Sequence, residues 1–404
     1  MRHLGGLALQ VHALVMVVAI ATLGGCGQQT QSAAELIELA TQKLELRDFK
    51  AAQLATKEAL KLDPDNGAGR LLAARLNVEV GQGKAALIEL DKAEKLGVPS
   101  SDTLPTRLQA LVQQNEYDAV LAIDVNEKFP ASLQAEILAA QAVALVGKGE
   151  AETALARFDE ALAKDPNNAA ALTGKGFQLL KAGKFDDGRT LIVKATETQP
   201  GFAPAWSVLG DAEGYAGKYE AADAAYSKAI ELRAVAPTDL VSRALVRLAQ
   251  DNTEGAQADI ELLKRQRFNL PHATYVRGIM LLQDKKYGEA LGEFTNVLAK
   301  YPNYIKAKCY AGLSALGVGS LQRADEELKS CLRSYPYADD MRRSYAAVQM
   351  ALGDEQAGID ALRPLIDRDQ PDADALSLMA EYERLRGNAD AALKYAKTLV
   401  QSDT

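Results

Sequence analysis

Few side chains in this sequence of 404 residues are suited to catalysis or metal binding. Only three histidines are present, and two of them, His3 and His12, lie near the start of the chain. The third, His272, follows Pro271 at the start of a predicted helix, where an exposed histidine is the ordinary interpretation. A Ser–His–acid triad would have to use His272, but no serine stands in the context of a nucleophile elbow. The sequence therefore predicts no enzyme activity, no metal site and no cofactor.

The composition is that of a folded, acidic protein. Hydrophobic residues make up 48% of the chain and charged residues 25%, which is typical of globular proteins. Lys and Arg number 46 against 54 Asp and Glu, giving a net charge of −8. A nucleic-acid-binding protein would present a basic face, so this balance argues against a nucleic-acid partner. Three cysteines are too few for a disulfide-rich scaffold or a cysteine-rich zinc module.

The N-terminal segment has the features of a targeting signal. It starts with a positive charge at Arg2 and continues with a largely apolar stretch up to Leu23. The stretch is short for a membrane span and lies at the very start of the chain, which is typical of a signal peptide.

The four residues Leu23–Gly24–Gly25–Cys26 resemble the lipobox of bacterial lipoproteins. The resemblance implies that residues 1–25 are removed and that Cys26 carries a diacylglyceryl thioether and an N-acyl chain, followed by a polar tether over residues 26–32. Gly27 in place of Asp implies sorting to the outer membrane of a Gram-negative bacterium. A plain secretory signal, or an uncleaved anchor with an incidental cysteine, is the alternative.

Beyond residue 32 the sequence repeats with a period of 34 residues. Taking residue 33 as position 1, ten of the eleven residues at position 8 are Gly or Ala, and so are ten of eleven at position 20. A proline recurs at position 32, at Pro64, Pro166, Pro200, Pro302 and Pro336. Such a fixed period is the sequence signature of a repeat protein, so residues 33–404 are predicted to form one solenoid.

The repeat resembles the tetratricopeptide repeat. The sixth unit carries its pattern most clearly, with Trp206, Leu209, Gly210, Gly217, Tyr219, Ala222, Tyr226 and Ala229. The resemblance implies an all-α fold, a right-handed superhelical solenoid of about eleven helix-turn-helix repeats. It also implies a function in protein binding.

Local sequence signals agree with two helices per unit. A glycine recurs near position 15, where it suits the left-handed residue that ends a helix. Small residues at positions 8 and 20 allow the two helices to approach closely, and position 24 supplies a large side chain between them. Two units depart from the pattern: the third, at residues 101–134, contains Pro105, Leu108 and Val120, and the tenth has Pro364 inside its second helix, which predicts a kink or a shorter helix.

Cys309 and Cys331 occupy positions 5 and 27 of the ninth unit. In an antiparallel helix pair these positions lie roughly opposite each other, so a disulfide is possible in an oxidising compartment. Two buried free thiols that fill core positions are the other interpretation, and the sequence favours it.

In tetratricopeptide repeats the first helices line a concave groove, which the side chains at positions 2, 5, 9, 12 and 13 face. The resemblance thus predicts a groove with an apolar centre, which favours an extended or helical segment of a partner protein. The candidate groove residues are Leu245, Tyr275, Ile279, Leu282, Lys306, Leu313 and Arg343. The same positions can also pack between neighbouring units, and both interpretations stay open.

The layout of lipobox and repeats is similar to the repeat lipoproteins of the exosortase (PEP-CTERM) exopolysaccharide systems, including the phrase Asp63–Pro64–Asp65–Asn66 before an Ala- and Leu-rich helix. This resemblance implies a scaffold on the periplasmic face of the outer membrane, with other envelope proteins or peptide segments as partners and a lipid anchor as the membrane contact. Its pathway would be exopolysaccharide biosynthesis or export. A pilotin-like lipoprotein, or one for outer-membrane-protein assembly, is the alternative.

Overall fold

The computed structural model describes residues 31–265 and 271–402. Within these ranges the protein consists of helices and short connections, without a β-strand. The prediction of an all-α solenoid of helix pairs is thus confirmed. The predicted signal peptide and Cys26 lie outside the described residues.

The described helices form eleven pairs in chain order. The first helices of the pairs are α1 (Ala33–Glu45), α3 (Gly67–Glu79), α5 (Ser100–Gln113), α7 (Ala131–Gly147), α9 (Ala169–Lys181), α11 (Ala203–Tyr215), α13 (Pro237–Ala249), α15 (Pro271–Gln283), α17 (Ile305–Gly317), α19 (Asp339–Leu352) and α21 (Ala373–Leu385). The second helices are α2 (Phe49–Leu62), α4 (Gly83–Lys95), α6 (Tyr117–Leu121), α8 (Ala151–Lys164), α10 (Phe185–Thr198), α12 (Tyr219–Leu232), α14 (Thr253–Arg265), α16 (Tyr287–Lys300), α18 (Leu321–Ser334), α20 (Glu355–Ile366) and α22 (Ala389–Ser402). Every second helix begins at position 17 of its 34-residue unit, so the sequence period and the helix period coincide.

The turn inside each pair uses the same backbone conformation. The residue at position 15 has a positive φ in every unit, and in seven units it is glycine, as predicted. In the other four units Arg47, Asn115, Asp251 and Lys285 take this conformation, with φ of 58° or 59°. Asn and Asp tolerate the left-handed region and other side chains disfavour it, so the turns at Arg47 and Lys285 are held by the surrounding helix pair against a local preference.

Small and large residues interlock between the helices of a pair. A Cβ added to Gly210 would lie 2.6 Å from the ring of Tyr226, and one added to Gly278 would lie 2.7 Å from the ring of Phe294. A real Cβ atom does not approach a ring that closely, so glycine at position 8 is what allows the large residue at position 24 to fit. The predicted packing of small against large side chains is confirmed at these units.

The third and tenth units are irregular. Helix α6 has only five residues, and α7 begins four residues before position 1 of its unit. Pro105 is accommodated inside α5, and Pro364 lies in α20, which ends after 12 residues where most second helices have 13 or 14. A proline lacks an N–H and crowds the preceding turn, which explains the shorter helix in the tenth unit.

Each helix pair packs on the next, so the apolar core runs along the solenoid as a series of linked clusters. The largest cluster joins α13 to α17 and includes Leu240, Ile260, Tyr275 and Phe294. One contact connects distant units: the Arg47 guanidinium donates hydrogen bonds to the main-chain oxygens of Gly201 and Leu232. No helix in the described ranges is long and apolar enough to cross a membrane.

Candidate protein-binding surface

The structure buries two of the predicted groove residues. Tyr275 is 2% exposed and Ile279 is 8% exposed, and both belong to the core cluster that joins α13 to α17. For these two residues the structure agrees with the other interpretation that the sequence left open, packing between neighbouring units. Their face of α15 packs against neighbouring helices of the solenoid and leaves little of either side chain to a partner.

The other apolar groove candidates are half-buried. Leu245 and Leu282 pack against the same core cluster, and Leu313 packs against the cluster around Cys309 and Leu328. These side chains mainly join repeats to one another. Each of the three side chains also keeps part of its surface exposed, so their place in a groove stays a prediction.

The two charged candidates have different surroundings. Lys306 is exposed near the start of α17. Arg343 is half-buried in α19, and its guanidinium lies 2.7 Å from a carboxylate oxygen of Asp372, the residue that caps the N-terminus of α21. Arg343 thus connects the tenth unit to the eleventh, whereas Lys306 remains available at the surface.

A group of exposed tyrosines lies beside these positions. It consists of Tyr301, Tyr304, Tyr335 and Tyr337, which we call the tyrosine patch. They lie in the connections between α16 and α17 and between α18 and α19. Tyr337 is 90% exposed, Tyr301 46% and Tyr335 42%, while Tyr304 is half-buried. Tyrosine is enriched at protein interfaces because its ring offers apolar area and its hydroxyl a hydrogen bond, so this patch is a candidate binding surface.

The buried Tyr275 supports the patch from below. Its ring centroid lies 5.2 Å from that of Tyr304 and 6.0 Å from those of Tyr310 and Phe294. Burial, and then the neighbouring Tyr310 and Tyr304, raise the pKa of Tyr275, and burial followed by Tyr335 raises the pKa of Tyr304. These hydroxyls are therefore neutral at physiological pH and can donate hydrogen bonds.

A disulfide fixes the helix ends that carry the patch. Cys309 in α17 is bonded to Cys331 in α18, with the two Cα atoms 5.0 Å apart. Tyr304 is the N-cap residue of α17, five positions before Cys309, and Tyr335 is the C-cap residue of α18, where its N–H donates to the Cys331 oxygen at 2.9 Å. The interpretation of the pair as free thiols is wrong. A covalent link here holds Tyr304 and Tyr335 in a fixed relation, so less conformational entropy is lost when a partner binds.

The connection between α18 and α19 is closed by a side-chain bond to a main-chain oxygen. The Arg342 guanidinium donates to the oxygen of Pro336, next to Tyr335 and Tyr337. The indole N–H of Trp206, which like Arg342 is at position 4 of its unit, donates in the same way to the oxygen of Pro200 at 2.8 Å. The backbone that presents Tyr335 and Tyr337 is therefore bound to the following helix.

The tyrosine patch is not among the predicted sites, although the sequence carries a signal for it. Tyr–Pro stands at positions 31 and 32 in two successive units, at Tyr301–Pro302 and Tyr335–Pro336, and a second tyrosine follows within three residues each time. In the described residues no cluster of three or more His, Cys, Asp or Glu is arranged to hold a metal ion. The surface offers hydrogen bonds and aromatic contacts to a partner.

Two stretches of the chain match sequence profiles of the tetratricopeptide repeat, at residues 145–212 and 241–305. These stretches are tetratricopeptide repeats. The helix pairs outside them follow the same 34-residue register, so the solenoid is built from this repeat. Solenoids of this kind are typically binding scaffolds, because stacked repeats create extended surfaces.

Several solved structures are similar in fold. The human IFIT1 dimer with m7Gppp-AAAA has 16% identity and a TM-score of 0.49, covering 93% of this chain and 96% of that chain. The APC/C hetero-tetramer Cut9-Hcn1 has 12% identity and a TM-score of 0.48, covering 87% and 96%. PilW, described as a widely conserved type IV pilus biogenesis factor, has 22% identity and a TM-score of 0.29, covering 58% and 92%. No curated protein matches the sequence.

Proposed function

We propose that this protein is a lipid-anchored, non-catalytic scaffold in the periplasm that binds other envelope proteins through the tyrosine patch. The patch carries the proposal: its exposed aromatic side chains are held on rigid helix ends by a disulfide and a buried aromatic cluster. Rigid aromatic anchors are the side chains that contribute most to binding energy at protein interfaces.

The disulfide also supports a location outside the cytoplasm. Disulfides persist in oxidising compartments such as the bacterial periplasm and are rare in the cytosol. The lipobox ending at Cys26 is in keeping with the same location and adds a membrane anchor. Two acyl chains or more make such an anchor stable.

The anchor is tested by replacing the cysteine that would carry it. Wild-type protein and the variant Cys26→Ser are expressed in a Gram-negative host with an alkyne-tagged fatty acid, and outer and inner membranes are separated on a density gradient. We expect the wild type to be labelled and to float with the outer membrane, and the variant to be unlabelled. An unlabelled wild type would refute the anchor.

The pathway is tested by the identity of the partners. We propose exopolysaccharide biosynthesis or export, which the resemblance in sequence layout favours. Cross-linking in the native cell, followed by affinity capture and mass spectrometry, should then recover polysaccharide synthesis or export proteins. Recovery of secretin, pilus or barrel-assembly proteins would contradict this pathway while leaving the scaffold itself in place.

A further inference from the structure

The outer faces of the first two repeats differ from those of the repeats in the middle of the chain. Positions 18, 22, 25 and 29 of a second helix are spaced by four, three and four residues, so they share one helix face. In α2 and α4 these positions carry five lysines, two aliphatic residues and one aspartate, which together we call the basic face. Its members are Lys50, Leu54, Lys57, Lys61, Lys84, Ile88, Asp91 and Lys95, and all are exposed.

The same positions of the fourth to seventh repeats are acidic. Their charged members are Glu152, Asp159, Asp186, Glu197, Glu220, Glu231, Glu254, Glu261 and Arg265, all exposed except Glu261, which is half-buried. Position 22, which is Leu54 or Ile88 in the basic face, is Ala or Thr in these repeats. The basic face is therefore a local feature and does not follow from the repeat pattern.

The aliphatic residues of the basic face are large and open to solvent. Leu54 is 62% exposed and Ile88 51%, and Leu62 and Leu96, eight residues further along each helix, are 59% and 40% exposed. Exposed aliphatic side chains bordered by lysines are the pattern of helices that lie in a membrane interface.

Most of these lysines have no acidic partner within ion-pair distance. Among the described residues, Lys50, Lys57, Lys84 and Lys95 form no ion pair, whereas Lys61 lies 2.6 Å from Glu58. A depression of about 510 Å³ is lined by residues of α2 and α3 and by Glu89 of α4, and Lys57 and Lys61 are among its lining residues. The four ammonium groups without an ion pair are complementary to anionic phosphate groups.

The short chain between Cys26 and α1 indicates that the partner of the basic face is the membrane. Ser32, the N-cap of α1, is six positions after Cys26, and an extended chain spans at most about 3.6 Å per residue. The start of α1 would thus lie within about 22 Å of a membrane that holds Cys26. We propose that the basic face docks on the surface of an anionic phospholipid bilayer, and this proposal rests on the lipid anchor proposed above.

Docking would orient the whole solenoid. The basic face would lie on the lipid, and the acidic outer faces of the fourth to seventh repeats would be repelled from it. The tyrosine patch belongs to the eighth and ninth repeats and is separate from the basic face. A partner of the patch would meet it in the aqueous compartment.

The test places a polarity-sensitive fluorophore on the basic face of the full, lipidated chain. Leu54→Cys is labelled and reconstituted in vesicles of phosphatidylcholine with phosphatidylglycerol, and Thr190→Cys, at the same position of the fifth repeat, is the matched control. We expect a severalfold rise in fluorescence at position 54 and its loss when brominated lipids are included. Position 190 should respond to neither, and vesicles of phosphatidylcholine alone should give a much smaller signal at position 54.

A charge reversal tests the electrostatic part. The substituted lysines are Lys50, Lys57, Lys84 and Lys95, each changed to Glu in the labelled chain. The control changes four exposed lysines elsewhere to Glu, namely Lys164, Lys300, Lys329 and Lys397. Both variants must keep the helical circular dichroism of the parent, and only the first should lose the fluorescence rise.

Three results would overturn the proposal, and each has a different cause. A chain that does not float with vesicles at all would refute the anchor and the docking together. Flotation without quenching at position 54 would refute the docking alone. A concentration-dependent signal at position 54 without vesicles would identify a second copy of the chain as the occupant of the basic face.

Discussion

The guanidinium of Arg47 donates a hydrogen bond of 3.2 Å to the main-chain oxygen of Leu232, although 185 positions separate the two residues. A second bond, of 3.4 Å, reaches the oxygen of Gly201. Leu232 is the last residue of α12, and the C-terminal end of a helix carries a partial negative charge that favours a cation. Repeats in a solenoid ordinarily contact only their neighbours, so this contact is an additional link between the first repeat and the sixth.

Removing the Arg47 side chain should let the solenoid open. In Arg47→Ala we expect a longer and broader distance between spin labels at Lys50→Cys and Glu231→Cys, measured by double electron–electron resonance. Arg333→Ala, which removes an exposed arginine outside this contact, should leave the distance unchanged. An unchanged distribution in Arg47→Ala would show that neighbour packing alone sets the curvature.

Glu79 should make stability depend on pH. Burial raises the pKa of its carboxyl above the usual value of 4.5, and Arg47 and Arg233 offset part of that effect. The folded state binds this proton more tightly than the unfolded state does. The stabilising contribution of proton binding to the free energy of unfolding is therefore fully present below pH 4.5 and is lost as the pH rises through the pKa of the folded state. Glu79→Gln should therefore be more stable than the wild type at pH 7 and equal to it near pH 4. Denaturant unfolding at the two pH values measures this, and equal stability at pH 7 would contradict it.

The disulfide between Cys309 and Cys331 should stabilise the ninth repeat. The cysteines are 22 positions apart, and a closed loop of that size is worth about 3 kcal/mol in the chain-entropy model. Unfolding of the purified protein with and without reductant measures the difference. Two thiols that react with a thiol reagent in unreduced protein from the native compartment would show that the bond is absent there.

Two glycine substitutions should have opposite effects. In Gly210→Ala the new methyl group meets the Tyr226 ring, and such overpacking costs about 1–3 kcal/mol. In Gly292→Ala the methyl group enters open space on α16, and the reduced freedom of the unfolded chain should add up to about 1 kcal/mol of stability. Denaturant midpoints of the two variants test the close approach of the helices directly. Similar effects at both positions would contradict it.

The sequence was sufficient to predict the helices and their register. Glycine at position 15, small residues at positions 8 and 20 and the proline at position 32 act locally, so the 34-residue pattern could be converted into helix pairs. Arg47 and Lys285 mark the limit of this prediction, because the left-handed turn forms at these positions although their side chains disfavour it.

The binding surface depended on information that the pattern does not contain. One face of a first helix is covered partly by the neighbouring repeats and is otherwise exposed to solvent. The curvature of the solenoid determines how much of that face stays exposed. Tyr275 therefore fitted a groove position by sequence and is buried in the structure. Tyr335 and Tyr337 lie in a connection, where no helical period marks them as a surface. The sequence also left the bond between Cys309 and Cys331 open, because spacing alone does not fix the distance between two helices.

The most direct test of the account places a photo-cross-linking amino acid at Tyr337 in the native cell. Tyr215, which is 75% exposed on another part of the solenoid, is the matched control position. If the tyrosine patch binds an envelope protein, irradiation should cross-link a defined protein to position 337 and not to position 215. No cross-link at position 337, or the same products at both positions, would contradict the central claim that this patch is the protein-binding surface.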